Sequence, residues 1–457
     1  MNPLSLLVAG CFFMEFLDGT IIAPALPQMA MSLGSTPVDL HVGISAYLLT
    51  VAVMILPGGW AAERFGARPV FAAAIVVFTI ASGLCALAGS PATFVAARVL
   101  QGIGGAMMVP VGRLVVLRGT EKAGLMRAIA LLTWPGLTAP LIGPPLGGFI
   151  AEHLDWRYIF LVNLPLGILA FGLALWLTPA GMSRVRRRFD ALGFLLAGAA
   201  CLCAELSMDL LGRDRPAWST VGLLIIVGGA SGIGAARHLV RSATPLIDPA
   251  PWGVSTFRMV MGVGTAMRGL ISTLPFLLPL LFQLGFGYDP FHAGALVLAL
   301  FLGNIGIKPA TSFVLRQFGF RRVMVGNAVL QAATMFGFAV IGLGTPLVGI
   351  LTLLALAGAS RSLQFTALGT LAFADVSQAQ MAPANTWLSV AYQAGNGIGV
   401  GFGALVLQVA GGVLGGGPDL AAFHAAFAGL GVLMLVLGGA ALTLADDAGA
   451  GVSGHRR

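Results

Sequence analysis

The sequence predicts an all-α membrane protein of fourteen transmembrane helices. Three observations carry that reading: a composition 58% apolar and only 9% charged, apolar runs of 18 to 27 residues, and Lys and Arg gathered in alternate loops. An ordinary soluble domain is roughly a quarter charged, so this composition does not suit a water-facing surface. The 64 glycines and 25 prolines are spread through Leu/Val/Ala/Phe runs rather than clustered in polar tracts, which excludes low-complexity disorder. A β-barrel would alternate over segments of about 10 residues, and these runs do not alternate. Helices are the remaining way to satisfy every backbone N–H and C=O in hydrocarbon. At about 20 residues per span plus a connection, a chain of this length holds roughly 12 to 14 of them.

Spans are expected at 5–27, 43–62, 70–89, 92–117, 125–150, 156–178, 190–211, 219–239, 256–283, 291–312, 321–342, 346–370, 382–410 and 420–444. Of the 25 Lys and Arg residues, 16 fall in the loops after even-numbered spans and in the C-terminal tail, among them Arg64, Arg68, Arg118, Arg127, Arg186, Arg237, Arg316 and Arg321. Only Arg157, Arg213 and Arg215 fall in the opposite loops. The positive-inside rule therefore places both termini in the cytoplasm, in a bacterial-type inner membrane. The net charge of +8 is thereby a record of topology rather than a sign of nucleic acid as a partner.

The pattern Phe-Gly-x-Arg follows span two as Phe65-Gly66-Ala67-Arg68 and span ten as Phe318-Gly319-Phe320-Arg321. Its recurrence at matching depth points to a duplicated six-helix bundle. The expected division is a first bundle at 1–180, a linker with two inserted helices at 181–250, a second bundle at 251–445 and a cytoplasmic tail at 446–457. Cys11, Cys85, Cys201 and Cys203 all lie in apolar segments and read as reduced core thiols.

Span one carries Glu15 and Asp18, three residues apart in the middle of an apolar run. A carboxylate at such depth costs about 2.5–3.5 kcal/mol on insertion scales, so the pair marks a candidate proton site. Span four carries Arg98 six residues inside its start. A guanidinium has no cheap neutral form and needs a carboxylate, carbonyls or water; Asp18 and Glu15 are both candidates. Arg268 and Arg361 are further charges deep in spans nine and twelve. Facing a central cavity, they would suit an anionic or amphiphilic solute better than an organic cation. Glu205, Asp209 and Arg213 are spaced as a surface ion-pair ladder on span seven.

The segment Leu17-Asp18-Gly19-Thr20-Ile21-Ile22-Ala23-Pro24-Ala25-Leu26-Pro27 resembles the first helix of the fourteen-span drug:proton antiporters of the major facilitator superfamily. Further motifs agree along almost the whole chain. Gly59-Trp60-Ala61-Ala62-Glu63-Arg64-Phe65-Gly66-Ala67-Arg68 is similar to the superfamily loop after helix two, with Glu63 for the usual Asp and Ala67 for a basic residue. The resemblance implies a cytoplasmic latch at Gly59, Glu63, Arg64, Gly66 and Arg68. Arg98-Val99-Leu100-Gln101-Gly102 resembles the motif whose arginine is implicated in proton coupling. Gly143, Pro144, Gly147 and Gly148 match the antiporter motif, with Ala139 for its first glycine. Trp156-Arg157-Tyr158-Ile159-Phe160-Leu161-Val162-Asn163 matches another family motif, and Asn163 joins Arg268 and Arg361 as a candidate for the substrate cavity. Segments 104–113 and 290–294 resemble the MdtD-type multidrug-resistance branch.

The expectation is a major facilitator fold and a proton-coupled exporter of small amphiphilic compounds or drugs, working by alternating access. Asp18, shared with Glu15, would bind the proton and Arg98 would tune its release. One alternative keeps the fold and exports an anionic metabolite or metal-chelate carboxylate against Arg268 and Arg361; another is a transporter-like solute sensor. The expected partners are the small-molecule substrate, protons and the lipid bilayer, with the protein a monomer. Neither nucleic acid nor nucleotide is expected: the glycine run Gly228-Gly229-Ala230-Ser231-Gly232-Ile233-Gly234 sits inside span eight, where small residues serve helix packing. No metal, cofactor or nucleophile–base pair is expected, so the chain reads as no enzyme and its driving force as the proton gradient.

Overall fold

The computed structural model describes residues 3–35, 37–121, 124–179, 188–211, 217–413 and 419–453, and among them it contains helices and no strand. The first half comprises α1 (Pro3–Ile21), α2 (Pro37–Met54), α3 (Leu56–Phe65), α4 (Ala67–Ala86), α5 (Pro91–Arg118), α6 (Leu125–Thr133), α7 (Pro135–His153) and α8 (Tyr158–Leu177). Then come α9 (Ala191–Leu211) and α10 (Trp218–Arg241). The second half comprises α11 (Ser255–Gly285), α12 (Pro290–Gly306), α13 (Lys308–Phe338), α14 (Leu347–Ala374), α15 (Met381–Val413) and α16 (Leu420–Ala440). Eight segments are long and apolar enough to cross a bilayer singly, and two bent pairs raise that to ten. The fifth expected span is divided between α6 and α7 at Trp134, and α13 runs on from the tenth span into the eleventh through Gly319, whose φ is 73°.

The two bent pairs occupy matching places. α2 meets α3 at 53° across Ile55, and α12 meets α13 at 52° across Ile307. Each break is followed two residues later by a proline, Pro57 or Pro309. A proline there has no N–H to give and its ring crowds the carbonyl four residues back, so the helix turns aside. Each bent span then ends at a glycine in the left-handed region, Gly66 at φ 94° and Gly319 at φ 73°, the shared Phe-Gly-x-Arg position.

Packing repeats as well. In the first half α1 lies on α7, α5 on both α2 and α4, and α4 on α8; in the second α11 lies on α15, α14 on both α12 and α13, and α13 on α16. Helices in lipid gain little from hydrophobicity alone and associate through close approach. The contact of α12 with α14 shows how: a Cβ on Gly303 would stand 1.9 Å from the Ala355 carbonyl oxygen, and one on Gly358 would stand 1.8 Å from that of Leu300. Across the halves α6 meets α14, α5 meets α15, α7 meets α12 and α3 meets α15.

The inserted pair packs on itself. Gly228 and Gly232 of α10 face Cys203 and Ala200 of α9, so the glycine run serves helix packing. α9 in turn touches α2 of one half and α15 of the other. At the first bend Ile55 and Leu56 are buried with Leu246 and Ile247, and Phe194 of α9 and Trp387 of α15 pack on them. Asp190 fastens this corner: its carboxylate accepts from the backbone N–H of Gly193 and of Leu246, each at 2.9 Å, and lies 2.8 Å from His238 Nε2.

Candidate functional site

α5 begins with Pro91 after Ser90, whose hydroxyl and Thr93 form a reciprocal cap, and this fixes the helix entry two turns before Arg98. Arg98 and Gln101 are three apart and share a face. Gly104 lets α4 come close, since a Cβ there would stand 2.6 Å from Phe78 N. The result is a dry polar knot. Arg98 Nη1 donates to Asp18 Oδ2 at 2.5 Å and to Gln101 Oε1 at 2.5 Å. Gln101 Nε2 donates to Asp18 Oδ1 at 2.8 Å and to Ser82 Oγ at 2.9 Å. Asn163 Nδ2 of α8 donates to Asp18 Oδ1 at 3.1 Å and Ser82 Oγ at 3.4 Å. The Arg98 plane also lies 4.2 Å from the Tyr47 ring centroid. Asp18 and Arg98 are 1% and 0% exposed, so water reaches neither.

Glu15 stands apart from this knot. Asp18 directs its two oxygens to Arg98, Gln101 and Asn163, while Glu15 Oε2 is buried without a hydrogen-bond partner. The Glu15 carboxyl lies beside Gly105: a Cβ there would be 3.4 Å from the Glu15 carboxyl carbon and 3.1 Å from the Tyr47 hydroxyl oxygen.

A second charged group forms a row where α5, α11, α14 and α15 meet. The Arg268 guanidinium lies between two rings, 4.0 Å from the Phe365 centroid and 3.9 Å from that of Tyr392. Arg361 lies over Phe365 at 5.3 Å, and Arg113 lies over Tyr392 at 5.6 Å and over Phe12 of α1 at 5.8 Å. Guanidinium planes and rings attract through the ring quadrupole, which gives the row its order. Among the described residues none of these three arginines has a carboxylate within ion-pair distance. Arg268 Nε and Arg361 Nε and Nη1 are buried without partners, and Arg113 Nη1 reaches Ser389 Oγ at 3.4 Å.

The resemblance motifs take definite places. Gly59 of α3 faces Thr386 of α15, where an added Cβ would meet the hydroxyl oxygen at 2.2 Å. Nearby, Asn385 Nδ2 donates to the Pro110 carbonyl at 2.7 Å, so the halves touch at the arginine-rich end. Arg68 donates to the Leu175 carbonyl at the end of α8, and its counterpart Arg321 pairs with Asp446 beyond α16. Glu63 and Arg118 interact electrostatically. Gly143 and Gly147 of α7 press on Thr20 and Ile21 of α1, and Gly148 stands near Pro24; the side chain of Pro144 lies outside the described residues. Arg213 and the Asp209 side chain also lie outside them, so the expected ladder with Glu205 is not described.

Sequence reasoning paired Arg98 with the right helix and left its partner open between Asp18 and Glu15; the structure selects Asp18. Asn163, expected at the substrate cavity with Arg268 and Arg361, stands instead in the Asp18 knot, because α8 packs on α4 beside Ser82. Ser82, Tyr47, Phe365 and Tyr392 went unremarked. Ser82 carried one signal, a hydroxyl in an otherwise apolar run, and Tyr392 is one of only four tyrosines in the chain.

Against known proteins, the Major Facilitator Superfamily profile matches residues 8–400. The chain belongs to that superfamily. It is a multi-pass membrane transporter and not an enzyme. A relative from Cronobacter sakazakii, provisionally named multidrug resistance protein MdtD, is 38% identical over 407 residues, covering 88% of this chain and 85% of the relative. One of the same name from Salmonella paratyphi A is 37% identical over 414 residues, covering 89% and 86%. Among solved structures, the human organic anion transporter MFSD10 superposes with a TM-score of 0.69 at 16% identity over 95% of this chain and 98% of its own. The proton:xylose symporter XylE superposes with a TM-score of 0.63 at 15% identity over 95% of each chain. At those identities the likeness shows the fold.

Proposed function

We propose that this chain is a proton-coupled antiporter that exports small organic solutes across a bacterial inner membrane by alternating access. The observation that carries the reading is the dry Asp18 knot. Asp18 accepts from side chains of two other helices, so a proton placed on it cancels the charge that holds Arg98 and loosens α1 from α5 and α8 together. Ligand-free coupling of this kind requires no cofactor, only a gradient: one charge moved inward across 100 mV supplies about 2.3 kcal/mol, enough to sustain roughly a fifty-fold solute ratio. The relatives named for multidrug resistance support export. The Gly143, Gly147 and Gly148 contacts with α1 tie the antiporter motif to the helix that bears Asp18. The latch residues Gly59, Glu63, Arg64, Gly66 and Arg68 would then hold the cytoplasmic side, Gly59 by its contact with Thr386. Glu15, three residues from Asp18 and unpartnered at one oxygen, is the next stop for the proton.

The test is purified protein in liposomes under an imposed pH gradient, with lumenal pH and solute movement read together. Proton flux should accompany solute countermovement, and both should fall by about a hundredfold in Asp18→Asn, which keeps the shape and removes the charge. Uphill solute movement at the normal rate in that variant removes Asp18 from the mechanism.

A further inference from the structure

Resting on the transport reading above, we propose that the row Arg361, Phe365, Arg268, Tyr392 and Arg113 is the cargo site and that its cargo is an organic anion. The argument begins with what the rings leave unused. The Arg268 guanidinium lies over the faces of the Phe365 and Tyr392 rings, which attract it but give its N–H groups no oxygen acceptor. Three of the donors in the row are buried and unpartnered: Arg268 Nε and Arg361 Nε and Nη1. The groups that satisfy a planar fork of N–H donors are carboxylate, sulfonate and phosphate oxygens.

Charge arithmetic agrees. Three cations stand together with no carboxylate in ion-pair range among the described residues; Glu15 of α1 interacts electrostatically with Arg113 from beyond that range, so one acid faces three cations. Like charges gathered in a poorly solvated place repel, and an anion between them relieves that repulsion. An organic cation would add to it. All three arginines are partly exposed as residues, in contrast to the sealed Arg98, while the unpartnered Nε and Nη1 atoms lie buried within the row, where an entering anion would have to reach them.

The row also crosses the molecule. Arg113 comes from α5 in the first half, whereas Arg268, Arg361, Phe365 and Tyr392 come from α11, α14 and α15 in the second. An anion held by Arg113 and Arg268 at once links the halves, and α5 also carries Arg98. Cargo and proton therefore act on one helix, about 22 Å apart along it at the usual rise per residue.

The experiment uses the purified full chain in detergent, in phosphate-free buffer and with no gradient. Two fluorescent probes share a xanthene body and differ in charge: carboxyfluorescein, an anion, and rhodamine 6G, a cation. Anisotropy gives their affinities, and a thermal-stability series with benzoate, benzenesulfonate and phenyl phosphate covers smaller anions. The expected result is anion binding that weakens about tenfold in Arg268→Ala and in Arg361→Ala, and less in Arg268→Lys, which keeps the charge without the fork. Rhodamine 6G binding as tight as the anion's, unchanged anion affinity in Arg268→Ala, or no response to any anion overturns the proposal. Because binding is read without protons moving, the result stands apart from the liposome test: loss of coupling leaves the anion site intact, and failure of anion binding leaves coupling intact.

Discussion

The two charged regions of this transporter are built on opposite plans. In the Asp18 knot the one cation has its carboxylate, the amides of Gln101 and Asn163 fill the remaining acceptor positions, and water is excluded. In the arginine row three cations share two rings, no acid answers them at ion-pair distance among the described residues, and donor edges are left over. The knot has committed its carboxylate to its cation, and the Arg98 Nε and Nη2 left unpartnered belong to a fully buried side chain. A row with donors to spare recognises something that arrives from outside. Depth in the membrane alone would have classed all these charges together; the carboxylate paired with Arg98, which the row lacks among the described residues, separates them.

The comparison breaks most sharply on stability. Arg98→Ala leaves Asp18 buried without its cation and should cost about 3–5 kcal/mol, read as a large fall in thermal melting temperature in detergent. Arg268→Ala loses its two ring contacts but leaves no acid without its cation, and should cost less, about 1–2 kcal/mol. Equal losses in the two variants would erase the distinction between knot and row.

Next in size is transport. Asp18→Asn should reduce gradient-driven flux by about a hundredfold, which corresponds to roughly 2.7 kcal/mol, while leaving carboxyfluorescein affinity unchanged. Asn163→Leu removes a donor from both Asp18 and Ser82 and should destabilise by about 1–2 kcal/mol, again with unaltered anion affinity. Weakened anion binding in Asn163→Leu would return that residue to the cargo site, where the sequence first suggested it. Smallest is the ring itself. Tyr392→Leu should weaken anion binding by the value of a stacked cation, about 0.5–2 kcal/mol, and Tyr392→Phe should not, since the ring face is kept.

How much of this was legible beforehand follows from what kind of contact each residue makes. Asp18 and Arg98 stood out because an ionisable group inside an apolar run is conspicuous whatever it touches. Arg268 and Arg361 stood out for the same reason, and their sign alone suggested an anion. The helical plan was readable from run length, but the bends were not: spans 43–62 and 291–312 were expected unbroken, although Pro57 and Pro309 stood inside them. What could not be read was which side chains meet across helices. Asn163 is 145 residues from Asp18, and its place depends on α8 lying against α4. Phe365 and Tyr392 are ordinary residues of a membrane helix until Arg268 is set between them. Ser82 becomes a polar anchor only because Gly104 lets the neighbouring helix so near.

The matched bends have a mechanical meaning. The elbow at Ile55 is padded by α9 and by Leu246 and Ile247, whereas among the described residues no such apolar cluster includes Ile307, whose neighbour Lys308 gives its ammonium to the Thr366 hydroxyl at 3.0 Å. A splinted joint and a bare one, built from the same proline device, differ in compliance. In the transport cycle proposed above, the inserted helices would make a near-symmetric machine lopsided, with the half they brace as the frame and the other half taking up the stroke.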